Sequence, residues 1–220
     1  MKIKKVVILF CICCLIFGIP MKANSEETKK QKIILIDPGH GGIDGGARSK
    51  NGTIEKNINL MISEKLKKEL EDSGYVVYLT REGDTELDSK KVKDLNARCQ
   101  MKKDTKCDVF ISIHQNMFPQ SNCFGAQVWY AANDDSKLIA ENIQDSLKET
   151  IDDKNKRVAK AAEKQYRILR DGYEGACVIV ECGFLSNYEE EQRLKTDEHQ
   201  IKIAKGITNG VNKYFENKSS

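Results

Sequence analysis

The feature that most constrains the fold is a short apolar run that breaks into a glycine-rich loop. The sequence there reads Lys32-Ile-Ile-Leu-Ile-Asp-Pro-Gly-His-Gly-Gly-Ile-Asp-Gly-Gly46. The run from Ile33 to Ile36 is rich in β-branched residues, long enough for a buried strand and too short for a helix. Pro38 ends the strand, and the glycines allow positive φ and close backbone approach. His40 is therefore expected at the carboxyl end of a central strand, where open α/β sheets hold ligands.

The rest of the chain alternates between predicted strands and helices. Further strands are predicted at 75–80, 107–114, 125–130 and 176–181, and helices from Glu55 to the glycine at 74 and at 87–103, 136–151, 189–194 and 200–215. The helices are predicted from apolar residues at three- and four-residue steps. The charged segment 154–164 fits neither pattern. The alternation predicts a single α/β domain, with a mostly parallel mixed sheet flanked by helices on both faces.

The N-terminal residues have a different character from this domain. Lys2, Lys4 and Lys5 precede an unbroken apolar run over 6–19. A basic head, a short apolar segment and a polar exit are typical of an export signal. The apolar run is shorter than the roughly 20 residues that a membrane span needs. We predict a signal peptide or uncleaved N-terminal anchor at 1–23, a flexible lead-in at 24–31 and the folded domain at 32–217. The protein is expected to be exported, with membrane contact through the N-terminal segment only.

Composition and motif spacing argue against several classes of protein. The net charge of +3 over 220 residues is too small to favour nucleic-acid binding. The spacing G-x-G-x-x-G, started at Gly39, places Asp44 at the third glycine, and neither a P-loop nor a G-x-S-x-G motif occurs. Nucleotide binding and serine catalysis are therefore disfavoured.

The cysteines are interpreted mainly as buried apolar side chains. Five lie beyond the N-terminal segment, and because five is odd at least one thiol stays free. Cys107, Cys177 and Cys182 lie in or beside predicted strands and are expected to be buried thiols. A disulfide between Cys99 and Cys123 remains open as an alternative.

Three predicted strands end on side chains that bind metals or move protons: His40, His114 and Glu181. Their carboxyl ends can meet in one crevice, and Glu55 is close enough in sequence to fold back beside His40. Two imidazoles and one carboxylate make the open three-ligand set of a catalytic zinc, with Glu181 left as general base and acid. Two alternatives stay open: the histidines could be hydrogen-bonded structural residues, and Glu55 could simply favour a helix N-terminus.

Four stretches, in order along the chain, resemble the zinc-dependent N-acetylmuramoyl-L-alanine amidases of the type-3 fold. They are Ile36-Asp-Pro-Gly-His-Gly-Gly-Ile-Asp44, Glu55 with Asn59, Ser112-Ile-His-Gln-Asn116, and Val180-Glu-Cys-Gly-Phe-Leu-Ser-Asn187. Within that family, the chain is most similar to the short sporulation amidases of the CwlD type. These are associated with removing stem peptides from muramic acid in the spore cortex, so that muramic-δ-lactam can form.

The resemblance implies one zinc ion held by His40, Glu55 and His114, with Glu181 as the catalytic carboxylate. It implies peptidoglycan as the substrate, and Asn116 and Arg170 are predicted to orient it. Other readings are a zinc peptidase or deacetylase of the cell wall, and a non-catalytic wall-binding protein. A carboxylate ligand carried on a loop can hold zinc weakly, which leaves room for an accessory sporulation protein that stabilises the metal site.

Overall fold

A computed structural model describes residues 31–152 and 154–219. The predicted signal or anchor at 1–23 and nearly all of the predicted lead-in lie outside the described residues. The strands are β1 Ile33–Pro38, β2 Val76–Leu79, β3 Val109–Asn116, β4 Gln127–Tyr130, β5 Lys160–Ala161 and β6 Ala176–Phe184. The helices are α1 Glu55–Asp72, α2 Lys91–Thr105, α3 Asp134–Ile151, α4 Tyr188–Leu194 and α5 Asp197–Ser219, with a short 3-10 helix at Arg167–Leu169. Among the described residues, no helix is both long and apolar enough to cross a bilayer.

The six strands form one sheet in the order β2-β1-β3-β6-β4-β5. The strands β2, β1, β3 and β6 are parallel neighbours, whereas β4 runs antiparallel to β6 and parallel to β5. The predicted α/β class with a mostly parallel mixed sheet is confirmed. Because β1, β3 and β6 run the same way, their carboxyl ends lie at one edge of the sheet.

Helices cover both faces of the sheet, but unequally. One face carries the larger core, to which α1, α3 and α5 contribute, and Ile111 and Ile113 of β3 point into it. Phe110 points to the other face, which is covered by α2 and the 3-10 helix. Alternation along β3 places His114 on the face of Phe110. The candidate chemical side chains therefore lie on the more thinly covered face of the sheet.

Several element boundaries differ from the sequence prediction. Helix α2 begins at Lys91 instead of residue 87, because the carboxylate of Asp94 accepts the amide of Leu87 at 2.8 Å and holds the preceding residues as a loop. Helix α5 begins at Asp197, three residues earlier than predicted. The charged segment 154–164 contains the two-residue edge strand β5, with both residues exposed. An edge strand this short carries no apolar alternation by which its sequence could reveal it.

All five cysteines of the described part of the chain are free thiols. Burial of Cys107, Cys177 and Cys182 is confirmed. The alternative disulfide is not formed, since Cys99 is buried as a free thiol and Cys123 is free and half-buried.

Candidate metal centre and catalytic site

His40 lies in a loop whose backbone carbonyls accept hydrogen bonds from two arginines. Its φ of 62° is in the left-handed region that non-glycine residues seldom adopt. Arg98 donates from Nη2 to the carbonyl of His40 at 2.9 Å, and Arg81 donates to the carbonyls of Pro38 at 2.9 Å and Gly39 at 3.1 Å. These buried guanidinium groups hold the backbone of the loop in this conformation.

Glu55 is the first residue of α1, and its carboxylate is turned into the site. Oε2 lies 3.3 Å from Nε2 of His40, and Oε1 lies 2.9 Å from Nδ1 of His114. The same carboxylate accepts the backbone amides of Ala47 at 2.8 Å and Gln115 at 3.1 Å. Glu55 is therefore held between the two imidazoles by the loop before α1 and by the end of β3.

The three side chains satisfy the geometry of a metal site. Ligand atoms of His40, Glu55 and His114 all lie within 4.8 Å of one another. Two ligands about 2.0–2.1 Å from one tetrahedral ion are about 3.3 Å apart, the distance between Nε2 of His40 and Oε2 of Glu55. Glycine is needed beside them: a Cβ on Gly39 would collide with the His114 ring, and one on Gly46 would lie 2.6 Å from Oε2 of Glu55. Two nitrogens and one carboxylate oxygen are a donor set that suits zinc.

The ionised carboxylate of Glu55 makes the cluster favour positive charge, carried by a proton on the imidazole or by a cation. Burial raises the pKa of Glu55, but hydrogen bonds from the two histidines outweigh burial and hold it well below its usual range. Burial lowers the pKa of His114, but the hydrogen bond and charge of Glu55 outweigh it and raise that pKa to about 9. The carboxylate thus stays ionised in a buried setting, where it favours a positive charge beside it.

Glu181 lies beside this cluster without joining it. It pairs with His114 across the β3–β6 register and is 8% exposed. Its Oε2 has no hydrogen-bond partner among the described residues. Burial raises the pKa of Glu181 to about 7, although the positive charge of His114 opposes the rise. A buried carboxyl that titrates near neutrality beside a metal site can take up and release a proton.

A buried polar network supports the end of β1. Asp37 accepts hydrogen bonds from Thr80 Oγ1 at 2.6 Å, Ser112 Oγ at 2.7 Å and Arg98 Nη1 at 2.6 Å. Burial raises the pKa of Asp37, but the charge of Arg98 and the two hydroxyl donors lower it to about 2. The network joins β1, β3 and α2 with Thr80, the residue that follows β2, at the base of the loop that carries His40.

Within the described residues, the side chains of the two predicted substrate residues make no hydrogen bond or ion pair with the cluster. Asn116 ends β3, and its Oδ1 accepts the amide of Met117 at 3.0 Å. Arg170 follows the 3-10 helix with its side chain exposed, and within the described residues no hydrogen bond or ion pair joins that side chain to the cluster. Their roles in substrate binding stay predictions.

The structure also reveals neighbours that the sequence analysis did not assign. Asp44 Oδ2 lies 3.0 Å from Nδ1 of His40, the arrangement that commonly orients a metal-binding histidine. The i,i+4 spacing of the two residues in one glycine loop is a signal that could have identified the pair. Tyr166 is close enough that burial and then the charges of Glu181 and Glu55 raise its pKa to about 12. A cleft of about 250 Å³ opens beside His40.

Comparison with known proteins agrees with this geometry. Residues 34–213 match the family described as N-acetylmuramoyl-L-alanine amidase. A germination-specific N-acetylmuramoyl-L-alanine amidase of Bacillus subtilis is 33% identical over 196 residues, which cover 85% of this chain and 81% of the relative.

Solved structures give the same result. The CwlD amidase of Clostridioides difficile, determined in complex with the GerS lipoprotein, superimposes with a TM-score of 0.80 at 38% identity, covering 84% of this chain and 99% of that one. An N-acetylmuramoyl-L-alanine amidase of Clostridium difficile 630 has a TM-score of 0.76 at 31% identity, covering 86% and 98%. This chain therefore belongs to the N-acetylmuramoyl-L-alanine amidase family, hydrolases of peptidoglycan amide bonds.

Proposed function

We propose that this chain is a zinc-dependent amidase that cleaves the bond between the lactyl group of muramic acid and L-alanine. The observation that carries the proposal is the cluster of His40, Glu55 and His114 facing a buried carboxylate, Glu181, with an unpartnered oxygen. Zinc held by the three ligands would act as a Lewis acid and make a water nucleophile available near neutral pH.

Glu181 has the two protonation states that this hydrolysis requires. As a carboxylate it accepts a proton from the attacking water, and as a carboxylic acid it delivers a proton to the departing nitrogen of L-alanine. The pKa of about 7, caused by burial, makes both forms accessible near neutrality.

The proposal extends to a role in the spore cortex and to a partner. The germination-specific name of the Bacillus subtilis relative supports the first, and also supports an exported, extracytoplasmic location. The complex of CwlD with a lipoprotein supports an accessory partner protein, and we propose that this partner stabilises the metal site. Muropeptide analysis of spores that lack this chain tests the cortex role, because muramic-δ-lactam should then be missing.

Replacing Glu181 tests the proposed mechanism most directly. We expect Glu181→Ala to bind zinc as the wild type does, because Glu181 is not a ligand, and to lose turnover by at least about 100-fold. Zinc content is measured by metal analysis and turnover by mass spectrometry of digested peptidoglycan, with and without added zinc.

The products separate the alternatives. An amidase leaves a free L-alanine amine and an intact glycan strand. A peptidase leaves shortened stem peptides, a deacetylase leaves free amino sugars, and a wall-binding protein leaves the polymer uncut. Near-wild-type digestion by Glu181→Ala would refute the assigned role.

A further inference from the structure

Helix α4, which follows β6, the strand of Glu181, contacts the loop before α1. Glu191 of α4 is 1% exposed, and its carboxylate accepts three hydrogen bonds from that loop. The donors are Ser49 Oγ, Asn51 Nδ2 and Thr53 Oγ1, each at 2.6 Å. Such short bonds to an ionised acceptor are among the stronger hydrogen bonds in proteins. About 140 residues of chain separate the donors from the acceptor, so this contact belongs entirely to the tertiary structure.

The loop is folded around the hydroxyl that Glu191 holds. Ser49 Oγ also accepts the backbone amides of Asn51 at 3.2 Å and Thr53 at 3.0 Å. Ser49 is therefore the centre of the turn, and its own position depends on the carboxylate of Glu191. Removing that carboxylate would leave three donors to find water or to reorganise.

The first turn of α1 is tied to the loop before it: the amide of Glu55 donates to the carbonyl of Ala47 at 2.9 Å, and that of Lys56 to the carbonyl of Gly45 at 3.2 Å. The N-cap residue of α1, Ile54, makes no side-chain capping hydrogen bond, although such bonds commonly fix helix N-termini. The first helical residue is Glu55, whose carboxylate is turned into the metal cluster. The loop before α1 thus contributes to the position of Glu55, and Glu191 holds residues 49–53 of that loop through three side-chain hydrogen bonds.

We infer that Glu191 is a positioning residue for the metal centre, acting through the loop 49–53 to hold Glu55 between the two imidazoles. The inference rests on the proposed function, in which Glu55 is a zinc ligand. The adjacent Glu190 accepts the amides of Gly125 at 2.9 Å and Phe184 at 2.8 Å, so it ties α4 to the end of β6. Through this pair, α4 links the strand of the general base to the carboxylate ligand.

The test compares zinc affinity among variants of α4 and of the loop that Glu191 holds. Glu191→Ala removes the carboxylate, Glu191→Gln keeps an oxygen for two of the three donors, and Thr53→Val removes one donor. Glu189→Ala is the matched control, since Glu189 is an exposed neighbour on α4. Zinc affinity is measured by competition with a chelating fluorophore, the ligand field by the absorption spectrum of the cobalt-substituted protein, and folding by the melting temperature without metal.

We expect Glu191→Ala to bind zinc about tenfold more weakly, as loss of outer supporting groups does in other metal sites. The zinc affinities of Glu191→Gln and Thr53→Val should lie between those of Glu191→Ala and the wild type, and Glu189→Ala should match the wild type. The cobalt bands should shift in the two Glu191 variants and in Thr53→Val, but not in Glu189→Ala. If Glu191→Ala does not fold, the zinc affinities of Glu191→Gln and Thr53→Val decide the test.

Wild-type zinc affinity and cobalt bands in the folded Glu191 and Thr53 variants would overturn the inference, even if their melting temperatures fall. An equal loss in Glu189→Ala would overturn it as well. If the wild-type chain binds no zinc, the proposed function and this inference fail together. If the wild type binds zinc and cleaves the amide while the variants match it, only the positioning role fails.

Discussion

His40 is held on both sides of its ring, and this sets how it can present a nitrogen. Nδ1 lies 3.0 Å from Asp44 and Nε2 lies 3.3 Å from Glu55. A carboxylate on one nitrogen fixes the tautomer that leaves the other nitrogen free to bind a metal. Asp44 is therefore expected to matter through the orientation and basicity of His40.

At the residue scale, we predict that Asp44→Asn weakens zinc binding by about 10–100-fold, the range found for outer partners of metal-binding histidines. Chelator competition measures the change. Asp88→Asn is the control, because Asp88 lines the same cleft while its carboxylate accepts the amide of Lys90. Equal zinc affinity in the two variants would contradict the orienting role of Asp44.

At the scale of elements, the polar network around Asp37 joins β1, β3 and the residue that follows β2 to α2. Asp37 is 1% exposed, so its charge is sustained by Arg98 and by two hydroxyl donors. Removing one member of a buried ion pair commonly costs about 3–5 kcal/mol, because the other charge is left buried without compensation. We therefore expect the network to contribute to stability in a pH-dependent way.

The folded-state pKa of Asp37, about 2, is below the ordinary value of 3.8, so its stabilisation is full above pH 4 and declines as pH falls towards 2. This contribution is about 2 kcal/mol. Urea unfolding measures the free energy of unfolding of wild type and Asp37→Asn at pH 6 and at pH 3. We expect the advantage of the wild type over the variant to be about 1 kcal/mol smaller at pH 3 than at pH 6. A difference that does not change with pH would show that the Asp37 carboxyl does not titrate in this way.

At the scale of the whole domain, the packing of α3 against α5 involves none of the residues of the metal cluster. Helices α3 and α5 approach so closely that a Cβ on Gly210 would lie 2.5 Å from Cα of Ile143. The added Cβ would clash with backbone atoms of α3, so no change of side-chain rotamer could relieve the clash. Close packing of this kind should affect stability without changing the metal site.

We predict that Gly210→Ala lowers the unfolding free energy by about 1–3 kcal/mol, the usual range for overpacking. Gly83→Ala is the control, since a Cβ there meets nothing within 4 Å, and it should stay within about 0.5 kcal/mol of wild type. Denaturant unfolding measures both variants, and zinc affinity should be equal in the two. A large loss of zinc affinity in Gly210→Ala would show that the two regions are coupled.

The amino-acid sequence by itself determined the class of fold and the chemical types in the site. The β-branched run before Pro38, the regular apolar spacing of α1 and the polar ends of three strands are local patterns, and local patterns are visible in a linear chain. They were sufficient to predict the α/β sheet and to select His40, His114 and Glu181 as residues that meet at one edge.

Only the tertiary structure decided how those residues are held. The hydrogen bonds from Arg98 to His40 and from the 49–53 loop to Glu191 join positions about 60 and 140 residues apart. The edge strand β5 depends likewise on its pairing with β4. Contacts of this kind follow from how elements pack, and they have no period in the sequence, so no local pattern could have revealed them.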